Sequence, residues 1–311
     1  MGRQTARALW GRRVAAGLTA AALAAALGAC GSAAGTAAAG TAESVIQAPA
    51  QVAQTALGPV GYRVVGSGPP LILIMGYAGT MQTWEPQFVN TLALRNRVVI
   101  FDNAGIGATA AVPNQLTIDA MANQTSALIT ALGLGRPDVL GWSMGSMIAQ
   151  ALAVLHPDQV NRLVLSASYP GNGTTTRPAQ QALSALENGD EQQVMADLFP
   201  ADQVGAGNAY LAATSSYPAA PAVAAGVLAA QRHAIDAWWA GQDSAGTRAA
   251  TITAPTLIAD GAADRLDPAG NSHTLAGLIP GARLTLFPDA GHAFLFQDQA
   301  VFIPQIESFL G

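Results

Sequence analysis

The pentapeptide Gly141-Trp142-Ser143-Met144-Gly145 has the G-x-S-x-G pattern, in which a serine hydroxyl acts as a nucleophile. Its two glycines allow the sharp strand-to-helix turn that lifts the hydroxyl above a sheet. A short apolar strand is predicted over Asp138–Leu140, directly before the pentapeptide, and a helix is predicted to begin near Gly145. This placement favours a catalytic Ser143 over a glycine-rich turn with an idle serine.

A serine at such a turn needs a sheet beneath it, and the chain alternates short apolar runs with helical stretches. Strands are predicted over Tyr62–Val65, Leu71–Met75, Val98–Phe101, Asp138–Leu140, Leu163–Leu165, Thr256–Ala259 and Arg283–Phe287. Helices are predicted over Trp84–Leu94, Ile118–Leu132 and Met147–Leu155. Runs that are apolar on both faces are typical of buried parallel strands, so the pattern predicts an α/β fold with a mostly parallel, doubly wound sheet.

The strand pattern is interrupted over about residues 171–251, where alanine, glutamine and proline prevail. We expect a helical insertion there, a candidate cap over a site. Trp238-Trp239 near its end, with Trp142 and Met144 beside the serine, predicts an apolar pocket. Simple buried packing is the other explanation of the tryptophan pair.

Four segments in the same order resemble the α/β-hydrolase family across about residues 60–311. Leu71–Tyr77 resembles the family's oxyanion loop, Phe101–Gly107 its D-x-x-G-x-G turn, Thr256–Asp264 the strand that leads to its acid, and Phe287–His292 its terminal G-H loop. The resemblance implies the α/β-hydrolase fold with a helical cap. It also implies a serine, acid, histidine order along the chain and no metal or organic cofactor.

Within this resemblance, Asp264 stands at the position of the acid and His292 at that of the base. The neighbouring Asp260 lies at the strand end, and Asp267, which precedes Pro268, is predicted to cap the next helix. The implied reaction is a two-step acyl transfer: His292 takes the Ser143 proton, Asp264 orients the imidazole, and water releases the acyl group.

Two backbone N–H groups are expected to hold the oxyanion, those of Tyr77 and Met144. Two departures from the family pattern bear on this loop. Met75 stands where the family usually has histidine before the glycine, and Ala104 and Thr109 replace the common arginine and serine of the D-x-R-G-x-G-x-S turn. Because the donors are backbone groups, these changes leave them in place but alter what supports the loop.

The N-terminus predicts export and lipid anchoring. Residues 1–13 are basic, residues 14–29 form an uncharged run rich in alanine and leucine, and Leu27-Gly28-Ala29-Cys30 resembles the lipobox of bacterial lipoproteins. Cys30 is the only cysteine of the chain. We therefore predict a signal peptide over 1–29, a flexible lipid-anchored tether over 30–56 and a hydrolase domain over 57–311, outside the cytoplasm at the membrane of the cell envelope.

Charge and chemistry leave a short set of functions. Four of the 14 basic residues lie in the leader, while all 19 acidic residues lie after it, which argues against nucleic acid as a partner. The favoured function is a serine hydrolase of a small-molecule or lipid ester. A second possibility is that the same triad serves another reaction, as in cofactor-free haloperoxidases or perhydrolases and in aminopeptidases. An aminopeptidase would need cap carboxylates such as Glu187, Asp190 or Glu191. A non-catalytic envelope binding protein is the third possibility.

Overall fold

An eight-stranded sheet forms the centre of the protein in the computed structural model, which describes residues 44–112 and 115–311. Across those ranges the strands are β1 (Gln51–Thr55), β2 (Gly58–Val65), β3 (Pro70–Ile74), β4 (Arg97–Phe101), β5 (Asp138–Trp142), β6 (Leu163–Ser166), β7 (Thr256–Gly261) and β8 (Arg283–Phe287). Their spatial order is β1-β2-β4-β3-β5-β6-β7-β8. Strands β1 and β2 run antiparallel to their neighbours, and every pair from β4 to β8 is parallel. The predicted mostly parallel sheet is confirmed.

Ten α-helices within the same ranges connect or follow the strands from β3 onward. They are α1 (Pro86–Leu92), α2 (Ile118–Ala131), α3 (Met144–Leu155), α4 (Gln180–Asn188), α5 (Glu191–Leu198), α6 (Val204–Thr214), α7 (Ala225–Trp239), α8 (Gly270–Leu278), α9 (Phe294–Gln297) and α10 (Gln299–Leu310). Helices α4 to α7 lie between β6 and β7, where the sequence predicts the insertion, and we call them the cap. Helix α3 begins at Met144, next to the start predicted near Gly145 and before the apolar spacing that begins at Met147, and therefore directly follows Ser143.

Both faces of the sheet are covered, because successive strand residues point to opposite sides. In β3, Leu71 and Leu73 pack in one core with apolar residues of α1 and α10. Ile72 and Ile74 pack in the second core with residues of α2 and α3. All four side chains are fully buried, so the continuous apolar run of this strand follows from its two covered faces.

The folded domain begins before Leu57, so the predicted tether over 30–56 is wrong for residues 44–56. Strand β1 pairs with β2 in antiparallel register, and Val45 and Ala48 are fully buried. The Val45 N–H also donates to Asn90 Oδ1 at 2.8 Å. Strand β1 gave little sequence signal because it is an edge strand with mostly polar, exposed side chains, in which only Ala53 is buried.

The predicted signal peptide and Cys30 lie outside the described residues. Within the ranges that the structure describes, no helix is long and apolar enough to span a membrane.

Candidate active site

Ser143 lies at a strained turn between β5 and α3. Its backbone has φ 58° and ψ −124°, a region that non-glycine residues rarely occupy. The flanking glycines explain how the turn is packed: a Cβ on Gly141 would collide with the Gly145 carbonyl, and one on Gly145 would collide with the Ile74 carbonyl. The G-x-S-x-G pattern therefore folds here into the turn that its mechanics require.

Substitution of Gly145 by alanine should disrupt this turn. The added methyl group meets the backbone of β3, which cannot move aside without breaking the sheet, so we expect a loss of at least about 3 kcal/mol of folding free energy. Chemical denaturation of the purified protein measures the change. The matched control is Gly277→Ala in α8, where an added Cβ meets nothing within 4 Å and should be neutral or stabilising. Equal stability of the two variants would contradict the packing argument.

Asp264 and His292 are brought together from the ends of neighbouring strands. Asp264 follows β7, and His292 follows β8 and precedes α9. His292 Nδ1 lies 2.7 Å from Asp264 Oδ2, and both side chains are nearly inaccessible to solvent. The His292 carbonyl accepts a hydrogen bond of 2.9 Å from the Trp142 indole, which ties its loop to the serine turn. With Nδ1 facing Asp264, Nε2 is the nitrogen left to exchange a proton.

The second oxygen of Asp264 is fixed by its own loop. Oδ1 accepts hydrogen bonds of 2.7 Å from the N–H groups of Leu266 and Asp267. These two donors hold the carboxylate plane, so Oδ2 points steadily at His292.

Two other buried carboxyl groups lie near Asp264. Burial, and then the charge of Asp264, raises the pKa of Asp267 well above its usual value. Burial raises the pKa of Asp260 well above its usual value as well, and the nearby Asp267 and Asp264 add to that effect. Asp267 does not cap α8 as predicted: the helix begins at Gly270, and the Asp267 side chain instead accepts a hydrogen bond of 2.8 Å from Asn271.

The loop after β3 brings backbone N–H groups close to the serine. A Cβ on Gly76 would lie 3.1 Å from Ser143 Cβ and 3.7 Å from Ser143 Oγ, so the main chain of this loop passes beside the nucleophile. Tyr77 is the next residue, and it lines the same cavity as Ser143. Met144 is the first residue of α3, where N–H groups have no acceptor within the helix.

Side chains outside the predicted set support this loop. Asn103 donates to the Met75 carbonyl at 2.8 Å, and Asp102 accepts from the Met81 N–H at 2.7 Å. Both come from the D-x-x-G-x-G turn, in which the sequence singled out Ala104 and Thr109 but not these two residues. A third side chain, Gln231 of α7, accepts from the Ala78 N–H at 3.0 Å, and no motif in the sequence points to it.

The cavity above Ser143 is predominantly apolar. It contains about 850 Å³ of empty space including its open mouth, and Ser143 and His292 both lie on its wall. The cap supplies one side through Leu183, Leu186, Val194, Leu198, Ile235 and Trp239. Of the tryptophan pair, Trp239 lines the cavity, whereas Trp238 is fully buried and donates to the Tyr169 carbonyl at 3.2 Å. The two explanations of the pair thus apply to one tryptophan each.

Arg232 of α7 is a polar wall residue that the sequence analysis did not single out. Its guanidinium lies 2.5 Å from Asp236 and 3.7 Å from Glu187, and 4.7 Å from the centre of the Trp239 ring. Glu187 is thus paired with a cation, and Asp190 caps α5 by accepting from the Gln193 N–H at 3.1 Å. Two of the three cap carboxylates that an aminopeptidase could use, Glu187 and Asp190, thus have structural partners.

No group of three or more acidic, histidine or cysteine side chains suited to a metal ion is found in residues 44–112 and 115–311. The arrangement of serine turn, buried His-Asp pair and apolar cavity suits acyl transfer.

Comparison with known proteins agrees with the fold. Residues 69–299 match the α/β-hydrolase fold family. The chain belongs to this family. A provisionally named carbamate hydrolase, RutD of Caulobacter sp. (strain K31), is 31% identical over 265 residues, which cover 80% of this chain and 95% of the relative. A provisionally named non-heme bromoperoxidase, BpoC of Mycobacterium tuberculosis, is 29% identical over 254 residues, covering 75% of this chain and 90% of the relative.

Solved α/β-hydrolase structures give the same result. An α/β-hydrolase fold protein from Chitinophaga pinensis superposes with a TM-score of 0.76 at 27% identity, covering 86% of this chain and 99% of that protein. The α/β-hydrolase fold predicted from the sequence motifs is therefore confirmed. The catalytic roles of Ser143, Asp264 and His292, and the oxyanion roles of Tyr77 and Met144, stay predictions.

Proposed function

We propose that this protein is a serine hydrolase that cleaves a carboxylic ester with an apolar acyl group, using Ser143, His292 and Asp264. The observation that carries the proposal is the 2.7 Å contact between His292 Nδ1 and Asp264 Oδ2, at the wall of the cavity that Ser143 also lines. A buried carboxylate that orients an imidazole beside a serine is the arrangement that activates a hydroxyl for attack on a carbonyl.

In the first step, His292 Nε2 accepts the Ser143 hydroxyl proton as Oγ attacks the ester carbonyl carbon. The carbonyl π electrons move onto its oxygen, and the N–H groups of Tyr77 and Met144 stabilise that negative charge. Asp264 stabilises the imidazolium without taking its proton. His292 then gives the proton to the leaving alcohol, and an acyl-Ser143 ester remains.

In the second step, water replaces the alcohol. His292 accepts a proton from the water as its oxygen attacks the acyl carbon, and the Ser143 oxygen leaves with the proton returned by His292. The product is a carboxylic acid, and the enzyme returns to its starting state. Every group in this cycle belongs to the chain, so no metal or organic cofactor enters the proposal.

The apolar cap wall supports an apolar acyl group as the part of the substrate held in the cavity. Hydrolysis of p-nitrophenyl esters from acetate to palmitate tests the reaction and determines the optimum acyl length. The protein used should include residues 44–311, because the buried Val45 belongs to the domain. A folded protein that cleaves none of these esters would overturn the ester proposal.

Leu186→Trp should shorten the acyl chain that the enzyme accepts. Leu186 lines the cap side of the cavity, so a larger ring there occupies space needed by a long acyl chain. We expect kcat/KM to fall about tenfold or more for the longest ester that the wild type accepts well, with a much smaller change for acetate. Leu94→Trp is the control, because Leu94 is 70% exposed and lies outside the cavity. An unchanged length preference would show that the acyl group binds elsewhere.

A perhydrolase or haloperoxidase reaction at the same serine is the second candidate, supported by the similarity to BpoC. It shares the acyl-Ser143 intermediate, and hydrogen peroxide replaces water as the second nucleophile. A carbamate is a third acyl donor to assay, in view of the similarity to RutD. Parallel assays with peroxide plus acetate and with a carbamate ester rank these reactions against ester hydrolysis.

We also propose that the hydrolase is held at the outer side of the cytoplasmic membrane or elsewhere in the cell envelope through a lipid on Cys30. The support is the lipobox-like Leu27-Gly28-Ala29-Cys30 and its position at the end of the leader. Cys30→Ala should move the protein from the membrane fraction to a soluble fraction or leave it unprocessed, because the thiol is the point of acylation. Fractionation with an antibody that distinguishes precursor from mature size measures this, and an unchanged membrane content of mature-sized protein would contradict the lipid anchor.

A further inference from the structure

Gln231 links the cap to the loop beside the nucleophile. It lies on α7, its side chain is fully buried, and its Oε1 accepts a hydrogen bond of 3.0 Å from the Ala78 N–H. Ala78 directly follows Tyr77, whose N–H is the proposed second oxyanion donor. The contact joins residues 153 positions apart in the chain, so it exists only when the cap is seated on the sheet domain.

The loop conformation at this contact needs support. Ala78 has φ 60°, in the left-handed region that costs a residue with a Cβ about 1 kcal/mol or more. Asn103 holds the beginning of the loop at Met75, and Asp102 holds its end at Met81. Between these two anchors, Thr83 accepts from the Thr80 N–H, and Gln231 of the cap accepts from the Ala78 N–H at the left-handed residue.

The buried side-chain amide of Gln231 leaves one of its polar atoms without a hydrogen bond. Because the Ala78 N–H can donate only to an oxygen, Oε1 must face the loop, and Nε2 is buried with no hydrogen-bond partner. An unsatisfied buried N–H group costs about 1–3 kcal/mol. A leucine or methionine would avoid the unpaired Nε2 but would leave the Ala78 N–H without its acceptor, so that acceptor is what a glutamine offers here.

We propose that Gln231 is a positioning residue that holds the Tyr77 N–H in place for the oxyanion, and that the site becomes competent only when α7 is seated. The inference rests on the proposed function. The loop is fixed at both ends by the sheet domain, whereas its turn is fixed by the cap. Displacement of the cap would open the apolar cavity and release this donor at once, so substrate entry and oxyanion stabilisation are coupled.

The test compares Gln231→Met with Gln231→Glu in the whole protein. Methionine keeps the side-chain length and removes the oxygen, whereas glutamate keeps an oxygen at the same place, and all three residues have similar helix propensity. With p-nitrophenyl butyrate, we expect Gln231→Met to lower kcat about tenfold or more and to leave KM within about twofold, because the donor acts on the transition state. Gln231→Glu should recover most of kcat.

Inhibition by 1-butaneboronic acid separates positioning from a loss of packing. The boronic acid forms a tetrahedral adduct on the serine whose oxygen occupies the oxyanion site, so its inhibition constant should rise in Gln231→Met by about the same factor as kcat falls. Ala234→Gly is the matched control, since Ala234 is buried on the same helix and makes no contact with the loop through a polar group. It should lower the unfolding temperature and leave kcat and the inhibition constant near those of the wild type.

Hydrogen exchange over residues 76–80 provides a readout that does not depend on activity. We expect faster exchange in Gln231→Met than in the wild type or in Ala234→Gly. The inference would be overturned by Gln231→Met with unchanged kcat and inhibition constant, or with a change confined to KM. It would also be overturned by a folded Gln231→Glu that is as slow as Gln231→Met. A wild-type protein that hydrolyses no ester would overturn the proposed function instead. In that case hydrogen exchange still tests the inference, because an unchanged exchange rate over residues 76–80 in Gln231→Met would overturn it.

Discussion

Ser143→Ala should lower kcat for p-nitrophenyl ester hydrolysis by about 10⁵-fold or more, because no other side chain in the proposed mechanism forms the acyl ester. The variant keeps the turn, since alanine has the same Cβ as serine at the strained φ of 58°. We therefore expect its unfolding temperature to stay close to that of the wild type. Steady-state kinetics and thermal denaturation measure the two quantities on the same samples.

A fluorophosphonate probe gives the control for this experiment. It should label the wild type covalently and fail to label Ser143→Ala, which shows that the lost activity is the lost nucleophile. Ser184 lies on the cap helix α4 outside the residues that line the cavity, so Ser184→Ala should be labelled normally. Substantial hydrolysis by a folded Ser143→Ala would rule out Ser143 as the nucleophile.

Asp264→Asn should lower kcat by about 10⁴-fold with little change in fold. The N–H groups of Leu266 and Asp267 require an oxygen at the Oδ1 position, so the asparagine carbonyl is held there and its NH₂ group faces His292. His292 Nδ1 must then accept a hydrogen bond, which places the ring proton on Nε2. In that tautomer Nε2 cannot take the Ser143 proton. Kinetics at neutral pH measure the loss.

The neighbouring carboxyl groups supply a matched control for this second experiment. Burial and the charge of Asp264 raise the pKa of Asp267 well above its usual value, which favours the uncharged form. Asp267→Asn replaces the acid by an amide of the same shape that can still accept from Asn271. We expect kcat to stay within about tenfold of the wild type. A greater loss from Asp267→Asn than from Asp264→Asn would move the catalytic acid to Asp267.

The catalytic base was easier to predict from the local sequence than the catalytic acid. His292 could be proposed because its G-H loop follows the last apolar strand, and the structure indeed places it against Asp264. The choice of Asp264 over Asp260 and Asp267 rested on the resemblance and on local arguments about a strand end and a helix cap, since all three lie at or just after the end of one strand. The three carboxyl groups differ in their surroundings: Asp264 accepts from two backbone N–H groups, whereas Asp260 and Asp267 are buried beside it. These differences come from loop geometry that no periodicity encodes.

The errors have equally physical causes. Strand β1 escaped prediction because an edge strand with one buried side chain lacks the apolar alternation that identifies strands. Asp267 resembles a helix cap next to Pro268, yet tertiary packing buries it and α8 begins later, at Gly270. In both cases contacts with distant residues outweighed the local signal.

By itself, the sequence determined the doubly wound fold, the serine turn and the cap insertion. Strand runs that are apolar on both faces require a covered parallel sheet, and the glycines at 141 and 145 fit only a turn in close contact with its neighbours. Only the tertiary structure decided which carboxylate meets His292, which tryptophan lines the cavity and that Gln231 reaches the loop at Ala78. These features depend on residues far apart in the chain, whose contacts exist only after the sheet and the cap have packed together.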